Sequence, residues 1–284
     1  MEMRQLFLGY PEFVWQGLFS LGSTLIAGLI IAFVTTFYLK KKDEITRVAG
    51  VILEKRINSE QTILDFLEDA SFSLEMRRED SEPLYQLLSK SGLETPHGPH
   101  FQYAKIFESH DAFQEFFRLF EQQISRNKLW LSKEVRFHLE LMQGYFSWIN
   151  AGLLTMQRIP LPDGIYLSDD EWRALSDKVI LLQGISLDNE VKGLIARLEV
   201  LMVESIYRLN FKRSKSSFMR NGFLNRETKK IIRILSRKTL LGTQREHTVT
   251  LIILLVYQIK GLDPEQLDIG TLLDKYPEIH ADAS

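Results

Sequence analysis

The feature that most constrains this chain is a long apolar run near its N-terminus. No charged residue lies between Glu12 and Lys40, and residues 13–39 are mostly apolar. As a helix, this run would be roughly 40 Å long, more than the ~30 Å hydrocarbon core of a bilayer requires. Trp15 and Tyr38 lie near its two ends, where aromatic side chains favour the membrane interfaces. The sequence therefore predicts a membrane-spanning helix at 13–39.

Charges on the two sides of this run predict its orientation. Three lysines follow it at 40–42, whereas the short segment 1–12 has only Arg4, offset by Glu2 and Glu12. The excess of basic residues favours the cytoplasmic side. We expect an inner-membrane protein with its N-terminus outside and its C-terminal domain in the cytoplasm. A cleaved signal peptide is disfavoured because its basic residues would precede a shorter apolar core.

One face of the predicted span has small and mildly polar side chains. Helical spacing brings most of them onto a shared stripe, and the remainder extend it with small-xxx-small spacing. The residues are Gln16, Ser20, Ser23, Thr24, Ala27, Gly28 and Ala32. This stripe predicts self-association into a homo-oligomer, and a narrow polar path or pore is a further hypothesis. The alternative is that small residues are simply common in transmembrane helices.

The rest of the chain predicts an all-α fold. A juxtamembrane helical stalk is expected at 40–80, with the helix itself reaching about Arg78, and a helical cytoplasmic domain at 81–284. No alternating or hairpin pattern indicates a sheet. Pro160 and Pro162, followed by a glycine, place a loop where a subdivision near 160–166 is expected.

Capping residues predict where several of these helices begin. Ser109 or Asp111 and then Ser132 are expected to cap two consecutive helices. Capping boxes are expected at Ser168 to Glu171, for a helix ending near 182, and at Thr243 to Glu246. Asp188 is expected to cap a separate helix. Gly261 is expected to end a buried helix at 248–259, and a last short helix is expected after Asp263 and Pro264.

The strongest signal after the apolar run is a basic segment. Between Arg208 and Arg245 there are twelve basic residues and one acidic residue, Glu227, although the whole chain has a net charge of -2. Three phenylalanines, at 211, 218 and 223, lie among these cations. The candidate phosphate-binding residues are Lys212, Arg213, Lys215, Arg220, Arg226, Lys229, Lys230, Arg233, Arg237 and Lys238.

This segment has three interpretations. It could bind the phosphates of a nucleic acid or nucleotide, with the aromatic side chains stacking on bases. It could dock on anionic lipid at the cytoplasmic leaflet. It could instead pair with acidic residues of the same domain or of a neighbouring subunit. Helical spacing places four of the cations on the side of the helix opposite three apolar residues. The cations are Lys229, Lys230, Arg233 and Arg237, and the apolar residues are Ile231, Ile234 and Leu235.

The sequence has no recognisable catalytic or metal-binding motif. The absence of cysteine excludes disulfides, thiolate metal sites and cysteine nucleophiles. Walker A, dinucleotide-binding and metalloprotease motifs are missing. Arg136 and His138 are separated by one residue, not by the four to six of the helical HEPN ribonucleases. His97, His100 and His110 do not make a zinc site. We expect no metal and no cofactor, and an enzyme is the less favoured class.

One transmembrane helix followed by a helical module with a basic patch resembles, in layout, bacterial membrane-bound effectors of antiviral systems. The leading hypothesis is a non-enzymatic effector or scaffold that self-associates in the membrane and permeabilises or reorganises it. The basic segment would engage a nucleic-acid, nucleotide or protein partner. A membrane-tethered nuclease or hydrolase with an unrecognised site is one alternative. A passive tether for a soluble partner is the other.

Overall fold

A computed structural model of the chain describes residues 6–7, 10–77, 79–96, 98–159, 161, 164–207 and 220–263. The fold is all-α, as predicted, with two short antiparallel strand pairs. The chain divides into two compact units, 1–56 and 57–284.

The first unit is mostly one helix. Strands β1 (Leu6–Phe7) and β2 (Tyr10–Pro11) pair with each other and lead into helix α1 (Glu12–Phe33). A π-helical stretch, Val34–Leu39, joins α1 to α2 (Lys40–Ala70) without a break. Within the described residues, this is the one helix long and apolar enough to cross a membrane, and none of its most apolar window is buried. A candidate membrane span at 13–39 is therefore present.

The predicted stalk helix ends earlier than expected. Helix α2 stops at Ala70, and strand β3 (Ser73–Arg77) follows. It pairs antiparallel with β4 (His100–Ala104), with Ser73 opposite Ala104. No strand was predicted at these positions, because each strand has only five residues and the partners are separated by a helix. Alternate side chains of β4 turn into the core, including the buried Phe101 and Tyr103.

Helices α3, α4 and α5 are the next three α-helices after β3, and α4 and α5 begin at predicted caps. Helix α3 (Glu82–Ser91) precedes β4. Helix α4 (His110–Asn127) is capped by Ser109, whose hydroxyl accepts the amide of Ala112. Helix α5 (Lys133–Thr155) is capped by Ser132 through the amide of Val135. A short polar side chain before an apolar helical pattern thus identified both N-termini correctly.

Helix α6 is one helix and not two. It runs from Asp169 to Tyr207, and its capping box is as predicted: Ser168 and Glu171 exchange hydrogen bonds of 2.7 and 3.3 Å. The prediction that Asp188 caps a separate helix was wrong. Its carboxylate instead pairs, 2.6 Å away and one turn on, with Lys192 inside α6. The i,i+4 spacing explains how an acidic residue is accommodated in mid-helix.

The chain ends, within the described residues, in α7 (Arg220–Lys238), α8 (Leu240–Thr243) and α9 (Arg245–Ile259). The second predicted capping box was wrong. Gln244 is the N-cap of α9 and makes no side-chain cap, whereas the Thr243 hydroxyl donates back to the carbonyl of Thr239. Gly261 ends the helix with a φ of 65°, as expected. The last predicted helix, after Asp263, lies outside the described residues.

The second unit has one hydrophobic core, which includes residues from both sides of the 160–166 loop. Phenylalanine rings pack against each other in this core. The ring centroid of Phe116 lies 5.0 Å from that of Phe146, in an edge-to-face pair, and 5.7 Å from that of Phe120. Helix α9 is buried from Thr250 to Val256, which confirms the prediction that its charge-free run is a core helix.

Candidate nucleic-acid interface

Helix α7 presents a stripe of basic side chains to solvent. Arg226, Lys229, Lys230, Arg233 and Arg237 are all exposed. Their spacing by three and four residues places them on one side of the helix, over a length of about 16 Å. We call these five residues the basic stripe. Lys238 is exposed too, but it points away from this side by roughly 100°.

The opposite side of α7 is packed on α5. Leu235 is 2 % exposed, and Ile231 is partly buried against the same core. A Cβ atom at Gly144 of α5 would lie 3.0 Å from Cδ1 of Leu235 and 3.4 Å from Cγ2 of Ile231. The missing side chain of Gly144 is therefore what allows the two helices to approach closely. This packing fixes the rotation of α7 and turns its basic stripe outward.

Two charged contacts extend the α5–α7 packing toward the start of both helices. Lys133 of α5 forms an ion pair of 3.2 Å with Glu227 of α7. One turn further on, the ammonium of Lys230 lies 5.0 Å from the ring centroid of Phe137. Because the contacts occur in the same order along both helices, α5 and α7 run in the same direction where they touch.

The described carboxylates do not neutralise the positive charge of the basic stripe. Helix α7 contains a single acidic residue, Glu227, and its carboxylate is engaged by Lys133. Within the part of the chain that the structure describes, no carboxylate forms an ion pair with any cation of the stripe. Five like charges on one side of a helix repel each other, so the surface is suited to a polyanion that would relieve this repulsion.

The C-terminal end of α7 is held by hydrogen bonds from buried groups. The Thr239 hydroxyl lies within hydrogen-bonding distance of both the Leu235 carbonyl and the Gly242 amide. Glu190 of α6 accepts the amide of Leu240 and the hydroxyl of Tyr145, both at 2.8 Å. Burial and the neighbouring Glu190 charge raise the pKa of Tyr145 well above its ordinary value. Tyr145 therefore stays a neutral donor to Glu190 at ordinary pH.

Part of the predicted basic segment lies outside the residues that the structure describes. Lys212, Arg213 and Lys215 lie outside the described residues, as do Phe211 and Phe218. Arg220 begins α7 and Phe223 lies within it, but only their backbone is described. The geometry of the interface therefore comes from the stretch 226–238.

The predicted association face lies on α1, and all of its side chains are exposed in the single chain. Its seven residues are Gln16, Ser20, Ser23, Thr24, Ala27, Gly28 and Ala32. The hydroxyls of Ser23 and Thr24 both donate to the carbonyl of Ser20, at 2.9 and 2.8 Å. These hydroxyl donors are satisfied within the helix. The association face of α1 therefore offers small side chains to a neighbouring helix and not a row of unpaired hydroxyls.

Sequence reasoning missed the α5 side of the interface. The core residues Val135, Leu139 and Phe146 occupy one face of α5, whereas Phe137 and Gly144 lie on the opposite face. A large aromatic residue and a glycine on the outward face of a helix indicate a second packing partner. That signal was present in the sequence, although nothing in it named α7 as the partner.

The Arg136–His138 pair is not a catalytic arrangement in this fold. His138 is buried, and its Nε2 atom donates to the carbonyl of Leu194, 2.8 Å away. Arg136 instead lies 3.8 Å from Glu140. His100 lies 3.7 Å from Glu75, and His97 is outside the described residues. Among the described residues, no group of three His, Asp or Glu side chains could hold a metal ion.

Comparison with protein-family models, curated proteins and solved structures finds no match to this chain. The described residues form an all-α fold with one candidate membrane span and an exposed basic stripe.

Proposed function

We propose that this chain is a non-enzymatic, membrane-anchored effector or scaffold that binds nucleic acid through the basic stripe. The observation that carries the proposal is the orientation of α7. Its apolar side is packed on Gly144 of α5, and its five aligned cations are exposed without a carboxylate partner among the described residues. A surface of this kind binds phosphates by releasing their counterions.

The candidate span supplies the membrane anchor in this proposal. It crosses the inner membrane once, with its N-terminus outside and the lysines at 40–42 on the cytoplasmic side. Copies associate through the small-residue face of α1. Because the bilayer confines the copies to two dimensions, a weak association per helix is sufficient. Binding of one nucleic acid to several stripes would cluster the anchors and so change the membrane, as in a defence response.

The stripe is tested with the full chain in mild detergent, bound to labelled single-stranded RNA and DNA at low and physiological salt. We expect a strong salt dependence, with a log–log slope of up to about −3.5 for five phosphate contacts. The triple variant Lys229→Gln, Arg233→Gln, Arg237→Gln should bind at least tenfold more weakly, with a shallower slope. Its matched control neutralises three exposed cations elsewhere: Lys105, Arg158 and Arg173.

Each outcome separates this proposal from its alternatives. If both triple variants weaken binding equally, net charge matters and the stripe does not. If the wild type binds anionic vesicles and no oligonucleotide, the stripe is a lipid-docking surface. If it cleaves the oligonucleotides and the stripe variant does not, the nuclease alternative is favoured. If it binds neither, the passive tether is the better description.

Self-association is tested separately. Ala27→Leu and Gly28→Leu fill the small-residue face and should lower the native mass in mild detergent. Leu25→Met, elsewhere on the same helix, is the control and should leave that mass unchanged. An unchanged mass in all three variants would show that this face does not hold copies together.

A further inference from the structure

Phe137 is an aromatic residue in a position that the core of α5 does not explain. The buried residues Val135, Leu139 and Met142 are on one face of the helix, and Phe137 is on the other, only partly buried. Large apolar side chains on the outward face of a helix usually contact something. On this face the ring of Phe137 meets the ammonium of Lys230 from α7.

Phe137 is partly exposed. Lys230, whose ammonium lies 5.0 Å from the ring centroid, is an exposed residue. A ring face that an exposed ammonium can reach is not covered by the core. A cation–π contact at such a solvated position is weak, so a stronger partner can take its place.

The same lysine belongs to the basic stripe. Lys229 and Arg233 lie beside it on α7, and the Lys133–Glu227 ion pair lies one turn before it. A phosphate chain that follows the stripe therefore passes next to the ring of Phe137. The spacing of Lys230 and Phe137 allows a base to replace the ammonium, which can then turn to a phosphate.

We propose that Phe137 is a base-stacking platform at the edge of the basic stripe, so that the interface takes single-stranded nucleic acid in preference to duplex. This inference rests on the proposed function. In a single strand the base faces are free to stack on an aromatic ring next to a positively charged track. In a duplex they are covered by neighbouring bases, and only phosphates reach the stripe. Stacking of this kind tolerates any base sequence.

The first test uses the unmodified full chain in neutral detergent. Its binding to a single-stranded DNA oligonucleotide is compared with binding to an abasic strand of the same length, which has the phosphates and lacks the bases. We expect roughly tenfold weaker binding to the abasic strand and to a duplex of the same sequence. Equal binding to all three would overturn the inference and leave a phosphate-only interface.

The second test assigns the effect to Phe137. Phe137→Leu should weaken binding to the base-containing strand about tenfold, leave binding to the abasic strand unchanged and keep the salt slope. Phe137→Tyr keeps the ring and should bind as the wild type does. If Phe137→Leu weakens both strands alike, the ring acts by positioning α7 and the inference fails.

Failure of the inference and failure of the proposed function remain distinguishable. The neutralised stripe, Lys229→Gln with Arg233→Gln, should lose affinity for both the abasic and the base-containing strand. If it does and Phe137→Leu does not discriminate between them, the stripe binds nucleic acid and Phe137 has no stacking role. If Phe137→Leu unfolds, Phe137→Trp is measured instead, because it keeps and enlarges the aromatic ring. Stacking predicts that this variant binds the base-containing strand at least as tightly as the wild type does, with unchanged binding to the abasic strand.

Discussion

Two charge-free apolar runs in this chain have opposite environments. In the candidate span, Leu21 and Leu25 are 66 and 67 % exposed, whereas in α9 Leu251 and Leu254 are 0 and 1 % exposed. Their side chains have the same chemistry, so composition alone does not decide which run is covered by protein. The difference lies in length and in neighbours.

Helix α9 is short enough to be enclosed by its own unit. It has 15 residues and contacts α3, α6 and α8. The candidate span is longer than the ~20 residues that a bilayer needs, and among the described residues none of its most apolar window is buried. An apolar helix must be covered on all sides, by a core or by lipid. The comparison therefore predicts that the two runs respond differently to the same substitution.

The largest contrast is expected from a buried charge. Leu254→Asp places a carboxylate in the core without a partner, and should lower the free energy of unfolding by about 4 kcal/mol or more. Leu25→Asp should leave the unfolding of the second unit unchanged and should weaken membrane insertion by about 3 kcal/mol. The loss of stability is measured by thermal unfolding, monitored by near-ultraviolet circular dichroism. The loss of membrane insertion is measured by alkaline extraction of membranes.

The matched controls are Leu254→Met and Leu25→Met, which keep the apolar volume. Leu254→Met should lower the free energy of unfolding by less than about 1.5 kcal/mol, and Leu25→Met should leave membrane insertion nearly unchanged. The comparison breaks if Leu25→Asp lowers the unfolding temperature as Leu254→Asp does. That result would mean that the N-terminal helix is covered by protein and not by lipid.

Helix glycines give a second, smaller contrast. A Cβ at Gly184 of α6 would lie 2.3 Å from the Cβ of Phe107, a ring with no exposed surface, whereas Gly28 has no atom within 4 Å. Gly184→Ala should therefore cost about 3 kcal/mol, because neither the helix nor the ring can retreat. Gly28→Ala should leave the unfolding of the second unit unchanged. Chemical denaturation of both variants measures the difference.

Gly193 is the control for helix propensity. It lies in α6 as Gly184 does, yet no atom lies within 4 Å of its Cβ position. Gly193→Ala should stabilise the protein by up to about 1 kcal/mol, since alanine is the better helix former. If Gly184→Ala behaves like Gly193→Ala, the close approach of α6 to Phe107 is not a feature of the folded protein.

The parts of the fold that depend on local chemistry could be predicted from the sequence. Ser132 and Ser168 were predicted as caps, and Ser109 as one of two candidates with Asp111, because a side-chain acceptor before a helix acts within one turn. The strand pair β3–β4 was missed because its paired residues are far apart in the chain, from 23 positions for Arg77 and His100 to 31 for Ser73 and Ala104. Helix α6 was divided at Asp188 because an aspartate before an apolar helical pattern is typical of an N-cap. In the fold this carboxylate pairs instead with Lys192, one turn further along the same helix.

The candidate site was predictable on one side only. The alternation of cations and apolar residues along α7 predicted which side is basic, and the structure confirms that Ile231 and Leu235 face the protein. The contribution of α5 could not be derived from α7, because Phe137 and Gly144 precede it by about 90 residues. Only packing of the second unit brings the ring next to Lys230.

Polar groups differ between the two regions in where they find partners. In α1, Ser23 and Thr24 use a carbonyl of their own helix, one turn away. In the packed unit, His138 of α5 uses the carbonyl of Leu194 in α6. A hydroxyl that is satisfied within its helix needs no neighbour, whereas the imidazole depends on the packing of two helices. Its titration therefore reports on that packing.

The smallest predicted effect is a pH dependence that comes from His138. Burial lowers the pKa of His138, opposed by its hydrogen bond to Leu194 and assisted by the nearby charge of Arg197. The unfolded chain, with a pKa of about 6.5, binds a proton at a higher pH than the folded chain does. The contribution of His138 to the free energy of unfolding is therefore fully present above pH ~6.5. It decreases as the pH falls toward the pKa of His138 in the folded protein, by up to about 1.4 kcal/mol per pH unit.

His138→Gln, whose amide can still donate to Leu194, should lose less stability between pH 7.5 and 5.5 than the wild type. If both proteins lose stability in parallel, the proton is taken up elsewhere and the imidazole is not confined between α5 and α6.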